Sequence, residues 1–150
     1  MPLFTRPDTT TTTKLPLFIT PVRAGFPSPA EEYSDTKLDL NRHLIGNPNS
    51  TFFVAITGDS MMDVDIQSGD IAIVDRSLEA KSGDIILAVV DGDFTIKRLE
   101  KTDSKFVNGV RIGPKIRLIP ENSNFDPIEI TENVVFQVWG VVTYTIHKAK

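Results

Sequence analysis

The sequence DIILAVVDGDFTIKRL, residues 84–99, decides the fold class of this chain. Two runs rich in β-branched and aromatic residues flank Asp91-Gly92, and an Asp-Gly pair between such runs is a strong hairpin signal. A two-residue loop sets the register so that Ile86 lies opposite Lys97. The stretch therefore predicts an antiparallel hairpin whose second strand carries a lysine within an apolar environment.

Short apolar runs extend this pattern on both sides of the hairpin. Gly140 lies inside the last of them and is expected to bend or bulge it. The predicted strands are Phe52–Thr57, Ile71–Asp75, Ile116–Ile119 and Val134–Ile146, with a second hairpin signal at Phe106–Val110. Many short strands with turn signals and almost no helix predict a mainly β, compact, largely antiparallel domain.

Residues 1 to about 50 differ from the rest of the chain. Met1–Lys14 is rich in threonine and has little to bury, which predicts a flexible N-terminal arm. Leu15–Thr20 could pair as a strand. Leu38–Ile45 has helical spacing, with three apolar residues on one face.

The composition argues against metal and thiol chemistry. The chain of 150 residues contains no cysteine, so it has no disulfide and no cysteine nucleophile. Its two histidines do not make a zinc pattern. Four nearby acidic residues lack the spacing of a calcium loop and are expected at turns and on the surface; they are Asp59, Asp63, Asp65 and Asp70. We expect no metal and no organic cofactor.

Charge and hydropathy limit the partners and the location. A chain with a net charge of −4 and no basic run is a poor candidate for direct, tight nucleic-acid binding. No apolar run approaches the roughly 20 residues of a membrane span, and the N-terminal sequence has no apolar signal region. We expect a cytoplasmic protein that neither enters nor crosses a membrane.

One serine is well placed for chemistry. Ser60 lies in Gly58-Asp59-Ser60-Met61, directly after a predicted strand. A glycine turn can present a serine hydroxyl together with nearby backbone N–H groups, which suits a nucleophile and an oxyanion site. The tetrapeptide alone fits a plain turn at least as well.

The lysine of the hairpin supplies a candidate base. Desolvation on an apolar strand lowers the pKa of a lysine from its usual value of about 10.4. A neutral amine beside a serine hydroxyl can act as general base, and serine–lysine pairs are an established variant of the catalytic triad. Lys97 is the candidate base for Ser60 on this argument, and a solvent-facing lysine on an edge strand is the alternative.

Four sequence blocks resemble, in order, the serine–lysine self-cleaving domain shared by LexA-type repressors and UmuD. The blocks are GDSM (58–61), SGDIAIVDRS (68–77), DGDFTIKRL (91–99) and PENSNFDPI (120–128). The resemblance implies the antiparallel β fold of the LexA/UmuD C-terminal domain. The residues before Gly25 are too few for a helix-turn-helix domain, so the chain resembles the UmuD type with its short N-terminal arm.

The resemblance also implies the site residues. The nucleophile falls on Ser60, the general base on Lys97 and the cleaved bond on Ala24–Gly25. One departure is visible, because Lys101–Lys115 is longer than expected in UmuD.

The same resemblance implies a division of the chain and a biological role. Residues 1–24 would be an arm removed by self-cleavage, residues 25–50 an arm or linker retained afterwards, and residues 51–150 the self-cleaving and dimerisation domain. A RecA filament on single-stranded DNA would stimulate cleavage in the SOS response. The processed homodimer would join an error-prone Y-family polymerase, a UmuC-like subunit, in translesion synthesis.

Two other interpretations remain open at this point. A signal-peptidase-like hydrolase shares the serine–lysine pair but needs membrane anchoring. A non-catalytic dimerisation module could keep the same fold without the chemistry.

Overall fold

The computed structural model describes residues 12–17, 24–25 and 36–150. Within these residues the chain forms eleven strands, one short helix, α1 (Leu40–Leu44), and one 3-10 turn (Met62–Val64). The strands are β1 (Lys14–Pro16), β2 (Lys37–Asp39), β3 (Thr51–Ala55), β4 (Ile71–Asp75), β5 (Ile85–Val90), β6 (Asp93–Thr102), β7 (Lys105–Val107), β8 (Val110–Ile112), β9 (Lys115–Ile119), β10 (Ile128–Ile130) and β11 (Phe136–Ile146). The prediction of a mainly β fold is confirmed.

Seven strands form one sheet in the order β10-β9-β6-β5-β11-β4-β3. Every neighbouring pair in this sheet is antiparallel. The remaining strands of the described residues form two small sheets, one of β1 with β2 and one of β7 with β8. The last strand in sequence, β11, therefore lies inside the large sheet, between β5 and β4.

The central hairpin has the predicted register. Ile86 on β5 is paired with Lys97 on β6. Asp91 and Gly92 both have positive φ angles, 49° and 89°, which is what a two-residue type I′ turn requires. Local turn chemistry thus sets the position of Lys97 in the sheet.

The sheet separates two apolar clusters. On β5, Leu87 belongs to one cluster, while its neighbours Ile86 and Ala88 belong to the other. Successive side chains of a strand point to opposite faces, so the two clusters lie on opposite sides of β5. Both clusters are built from side chains that are far apart in sequence.

A bulge in β11 is the feature expected at Gly140. The pairing of β11 with β5 shifts register between Val138 and Gly140. As a result Trp139 packs in the cluster that contains Leu87, whereas Val141 packs in the cluster that contains Ile86, although they are two residues apart. The prediction for Gly140 is confirmed.

The helix prediction over Leu38–Ile45 is wrong in its first part. Leu38 pairs with Leu15 in the small sheet of β1 and β2. The helix begins only at Leu40, because the side chain of Asp39 accepts a hydrogen bond from the backbone N–H of Asn41 and caps it. The predicted apolar face is also only partly buried, since Leu40 is 53% exposed.

The N-terminal expectations are only partly within the described residues. Residues 1–11 of the expected arm and residues 18–20 of the expected strand lie outside them. Strand β10, in contrast, is described clearly but is absent from the sequence prediction, because three residues after a proline carry too little pattern. In the described ranges, no helix has the length and apolar character needed to cross a membrane.

Candidate active site

Ser60 lies in the loop that follows β3. The chain turns at Gly58, whose φ of +91° is open to glycine and costly for other residues. The side chain of Ser60 is half-buried. Among the residues that the structure describes, no acceptor is found for the backbone N–H of Ser60 or of Met61. Two adjacent N–H groups beside the serine hydroxyl are therefore available to an outside oxygen atom.

Lys97 reaches the same place from the middle of β6. Lys97 is only 9% exposed. Burial disfavours the charged ammonium and lowers the pKa of Lys97 below its ordinary value. The alternative of a solvent-facing lysine on an edge strand is wrong, since β6 lies between β5 and β9.

The two side chains meet directly. Nζ of Lys97 lies 2.8 Å from Oγ of Ser60, and these residues are 37 positions apart in sequence. Nζ also lies 2.8 Å from Oγ1 of Thr95 and 3.1 Å from the carbonyl oxygen of Ile96. The structure thus brings together the two residues that the sequence singles out.

A charged ammonium could donate to all three oxygens, and the contacts also fit a neutral amine, the form that burial promotes. A neutral amine has two N–H bonds and one lone pair. The carbonyl of Ile96 can only accept a hydrogen bond, and the hydroxyl of Thr95 can accept the second. The lone pair is then left facing the hydroxyl of Ser60, from which it can take a proton. Sequence reasoning misses Thr95, because a threonine on a strand carries no distinctive signal.

The pair opens into a cleft of about 260 Å³. Its wall combines the end of β3 and the loop that follows it with β5 and β6, and both polar and apolar groups line it. The lining residues are Val54, Ala55, Ile56, Thr57, Gly58, Ser60, Met61, Ile66, Leu87, Phe94, Thr95, Ile96 and Lys97.

The expected cleavage residues lie elsewhere on the surface. Ala24 and Gly25 are both exposed, and neither is among the residues that line the cleft. A Cβ atom at Gly25 would meet no heavy atom within 4 Å. The structure therefore does not bring the Ala24–Gly25 bond together with Ser60 and Lys97.

Asp70 corrects the expectation that the four acidic residues are surface residues. It is only 1% exposed, and its carboxylate accepts a hydrogen bond from the backbone N–H of Gln67 and lies 2.6 Å from Nδ1 of His147. His147 therefore has a carboxylate partner that the sequence does not indicate. Neither residue lines the cleft, so this pair does not form a triad with Ser60.

No metal site is found in the part of the chain that the structure describes. Those residues contain no group of three or more histidine or acidic side chains that could hold a metal ion. The polar groups that surround Lys97 are hydroxyl and carbonyl oxygens, as the contacts above show.

The chain matches known proteins over most of its length. Residues 16–143 match the Peptidase S24-like family. The chain is 41% identical over 135 residues to Protein SamA of Salmonella typhimurium, which covers 90% of this chain and 86% of that protein. It is 39% identical over 136 residues to Protein ImpA of Escherichia coli, covering 90% and 85%. The LexA repressor of Clostridium acetobutylicum is 38% identical over 107 residues, covering 71% of this chain and 48% of the repressor.

Proposed function

The chain belongs to the Peptidase S24-like family, and on this premise we propose that it is a self-cleaving serine–lysine peptidase of the bacterial DNA-damage response. The observation that carries the proposal is the distance of 2.8 Å between Nζ of Lys97 and Oγ of Ser60. It joins a hydroxyl to an amine whose pKa is lowered by burial. The resemblance to UmuD-type proteins supports the same roles.

The proposed reaction cleaves the bond between Ala24 and Gly25. Nζ of Lys97 takes the proton of Ser60, and Oγ forms a bond to the carbonyl carbon of Ala24. The bond to the Gly25 nitrogen breaks, and the Lys97 ammonium returns its proton to that leaving amine. Water then hydrolyses the ester on Ser60 and releases residues 1–24 with a new carboxylate. The products are residues 1–24 and residues 25–150.

The backbone next to Ser60 would stabilise the charge that develops. The carbonyl oxygen of Ala24 becomes an oxyanion as Oγ adds to it. The N–H groups of Ser60 and Met61, which have no acceptor among the described residues, are suitable donors. Removal of one such donor typically slows an acyl transfer by about 10²–10³-fold.

The position of the cleavage residues supports a latent form before cleavage. Ala24 and Gly25 are exposed and do not line the cleft, so the segment must move before reaction. We propose that a RecA filament on single-stranded DNA favours the docked state, as the resemblance implies. An activator can do this only by binding the docked state more tightly than the undocked one.

The proposed division of the chain follows from this reaction. Residues 1–24 are the arm that is released, residues 25–50 are retained, and residues 51–150 carry the site and the dimer contacts. The processed homodimer would serve as the accessory subunit of an error-prone, UmuC-like Y-family polymerase. These partners rest on the resemblance alone.

Self-cleavage at alkaline pH tests the proposal. Purified full-length protein is incubated at pH 10 without any activator, and the products are weighed by mass spectrometry. We expect a single cut after Ala24, and no cut in Ser60→Ala, whose circular dichroism spectrum should match that of the unmutated protein. The matched control is Ser104→Ala, which removes the hydroxyl of an exposed serine and should cleave normally.

Other outcomes would point to the alternatives. Cleavage of added peptides without self-cleavage would favour a hydrolase that acts on other chains, as signal peptidases do. An inert full-length protein would favour a non-catalytic dimerisation module. A normal 25–150 product from Ser60→Ala would remove Ser60 from the mechanism.

A further inference from the structure

Two residues of the segment 120–124, Glu121 and Asn122, hold the backbone of the Ser60 loop. The backbone N–H of Glu121 donates to the carbonyl oxygen of Ser60 at 2.8 Å, and the carbonyl of Glu121 accepts from the N–H of Asp63 at 2.8 Å. The side-chain amide of Asn122 donates to the carbonyl oxygen of Asp59 at 2.9 Å, across 63 positions of sequence. Two successive carbonyls, at Asp59 and Ser60, are thus held by donors from a distant part of the chain.

Asn122 uses both ends of its amide. It is 8% exposed, and its Oδ1 accepts a hydrogen bond from the backbone N–H of Asn124 at 3.0 Å. That second bond is the ordinary turn contact of an Asn or Asp side chain with the backbone two residues on. An aspartate would make it equally well. The bond from Nδ2 to Asp59 is not needed by the turn, and an aspartate cannot donate it at neutral pH.

Holding these carbonyls also orients the neighbouring N–H groups. The C=O of Asp59 and the N–H of Ser60 belong to one planar trans peptide unit, in which the two bonds point in opposite directions. The same holds for the C=O of Ser60 and the N–H of Met61. The donors from Asn122 and Glu121 therefore turn both N–H groups away from segment 120–124, where no described residue accepts them.

We propose that Asn122 is a positioning residue that orients the N–H of Ser60 toward the oxyanion of the reaction. It acts through the Asp59–Ser60 peptide unit and does not touch the substrate itself. The inference rests on the proposed function, and it gives Asn122 a role within the PENS sequence at 120–123. Glu121 contributes through its backbone N–H and carbonyl and not through its side chain.

The test compares Asn122→Asp with Asn124→Asp in the full-length protein. The first substitution keeps the turn contact and loses the donor to Asp59. The second makes the same chemical change two residues away, at an exposed side chain. For each variant the rate of self-cleavage is measured from pH 6 to 11, together with the melting temperature.

We expect Asn122→Asp to lower the alkaline plateau at least tenfold, toward the range known for loss of an oxyanion donor. Asn122→Asp also adds a negative charge, which can raise the pKa of Lys97, so the neutral variant Asn122→Ser is measured beside it. In Asn122→Ser the midpoint of the pH profile should stay within about 0.3 units of the original, because the Ser60–Lys97 pair is unchanged. Asn124→Asp should cleave at the original rate. A purely structural loosening of the loop would instead admit water to Lys97, raise its pKa and move the midpoint upward.

Three results would overturn the inference. They are a plateau within twofold of the original in Asn122→Asp, a rate that recovers fully at higher pH, and an equal loss in Asn124→Asp. If Asn122→Asp does not fold, Asn122→Ser takes its place, because a serine can keep a turn contact but is too short to hold Asp59. The proposed function fails separately, through absence of Ser60-dependent cleavage in the unmutated protein.

Discussion

At the scale of single residues, the environment of Lys97 decides what it can do. The amine is buried, which lowers its pKa, and its neighbours are a hydroxyl at Thr95, a carbonyl at Ile96 and the hydroxyl of Ser60. No hydrogen bond or ion pair from Lys97 to a carboxylate is found among the described residues. No carboxylate there offsets a positive charge, so burial shifts the protonation equilibrium of Lys97 toward the neutral form that a base needs.

The pH dependence of self-cleavage follows from this environment. Only neutral Lys97 accepts the serine proton, so the rate should rise about tenfold per pH unit below the pKa of Lys97 and level off above it. Lys97→Arg should abolish cleavage, because a guanidinium stays charged over this range. The measurement is the rate of self-cleavage from pH 6 to 11.

Two histidine variants complete this experiment. A histidine base would give a plateau above about pH 7, and His43→Ala or His147→Ala would then remove the activity. We expect both to retain the unmutated profile. Cleavage by Lys97→Arg, or a plateau above about pH 7 that is lost in one of the histidine variants, would exclude Lys97 as the base.

At the scale of elements, the site is assembled from parts that differ in regularity. Lys97 stands on a regular strand whose register follows from the Asp91-Gly92 turn. Ser60 stands on an irregular loop that depends on segment 120–124 for its hydrogen bonds. The regular strand and the hydrogen-bonded loop together hold the amine of Lys97 and the hydroxyl of Ser60 in contact. The proposed reaction requires this geometry.

The long segment Lys101–Lys115 also has an explanation at this scale. It contains the hairpin of β7 and β8, which forms a two-stranded sheet of its own. The turn residues Asn108 and Gly109 have positive φ angles, as in the central hairpin. Phe106 on this hairpin is 74% exposed, so the extra residues do not add to the described core.

The bulge in β11 leads to a prediction for stability. A Cβ at Gly140 would lie 2.6 Å from Cγ1 of Val74 and 3.0 Å from the carbonyl oxygen of Asp75. Gly140→Ala should therefore lower the free energy of unfolding by about 1–3 kcal/mol, the usual cost of overpacking. Urea unfolding followed by circular dichroism measures this change.

Gly46→Ala is the matched control for that substitution. A Cβ at Gly46 would meet no heavy atom within 4 Å, and its φ is not in the left-handed region. We expect its stability to stay within about 0.5 kcal/mol of the original. Equal stabilities of the two variants would contradict the close packing of β11 against β4.

At the scale of the whole molecule, two buried carboxylates at the ends of β4 contact distant parts of the chain. Asp75 accepts hydrogen bonds from the side chains of Asn47 and Ser50, which precede the sheet. Asp70 pairs with His147, which follows β11. The segment before β3 and the end of the chain are thus joined to one strand of the sheet.

These contacts predict acid-induced loss of stability. Hydrogen bonds from Gln67 and His147 lower the pKa of Asp70, against the effect of burial. Burial alone would raise the pKa of Asp75, but hydrogen bonds from Asn47, Ser77 and Ser50 outweigh it and leave the pKa lowered. Unfolding in acid therefore takes up protons. The stability that each of the two carboxylates contributes is present above about pH 4 and is lost as the pH falls further.

The stability of Asp70→Asn tests this prediction. We expect lower stability than the original at pH 7 and a weaker dependence on pH between 4 and 2, because one carboxylate with a lowered pKa is gone. Asp126→Asn removes an exposed carboxylate and should keep the original dependence of stability on pH between 4 and 2. Urea unfolding at each pH gives the free energies, and parallel curves for Asp70→Asn and the unmutated protein would disprove the role of Asp70.

Much of the fold can be predicted from the sequence alone, and the sequence also singles out two residues that the structure brings into contact. The alternation of apolar residues and the Asp91-Gly92 turn act within a few residues, so β5, β6 and the pairing of Ile86 with Lys97 follow from local chemistry. Ser60 and Lys97 are singled out by their places after a strand and on the hairpin. Their roles, like that of Ala24–Gly25, remain proposals.

The tertiary structure alone decides which distant segments meet. The sequence pattern of β11 does not say that it lies between β5 and β4, and a polar residue in a loop does not reveal its partner. Sequence reasoning therefore expects Asp70 at the surface, whereas it is buried beside His147, and nothing in the sequence indicates that Asn122 holds Asp59. Local patterns specify strands and turns, whereas the order of strands and the pairing of buried polar groups depend on packing and hydrogen bonding across the whole chain.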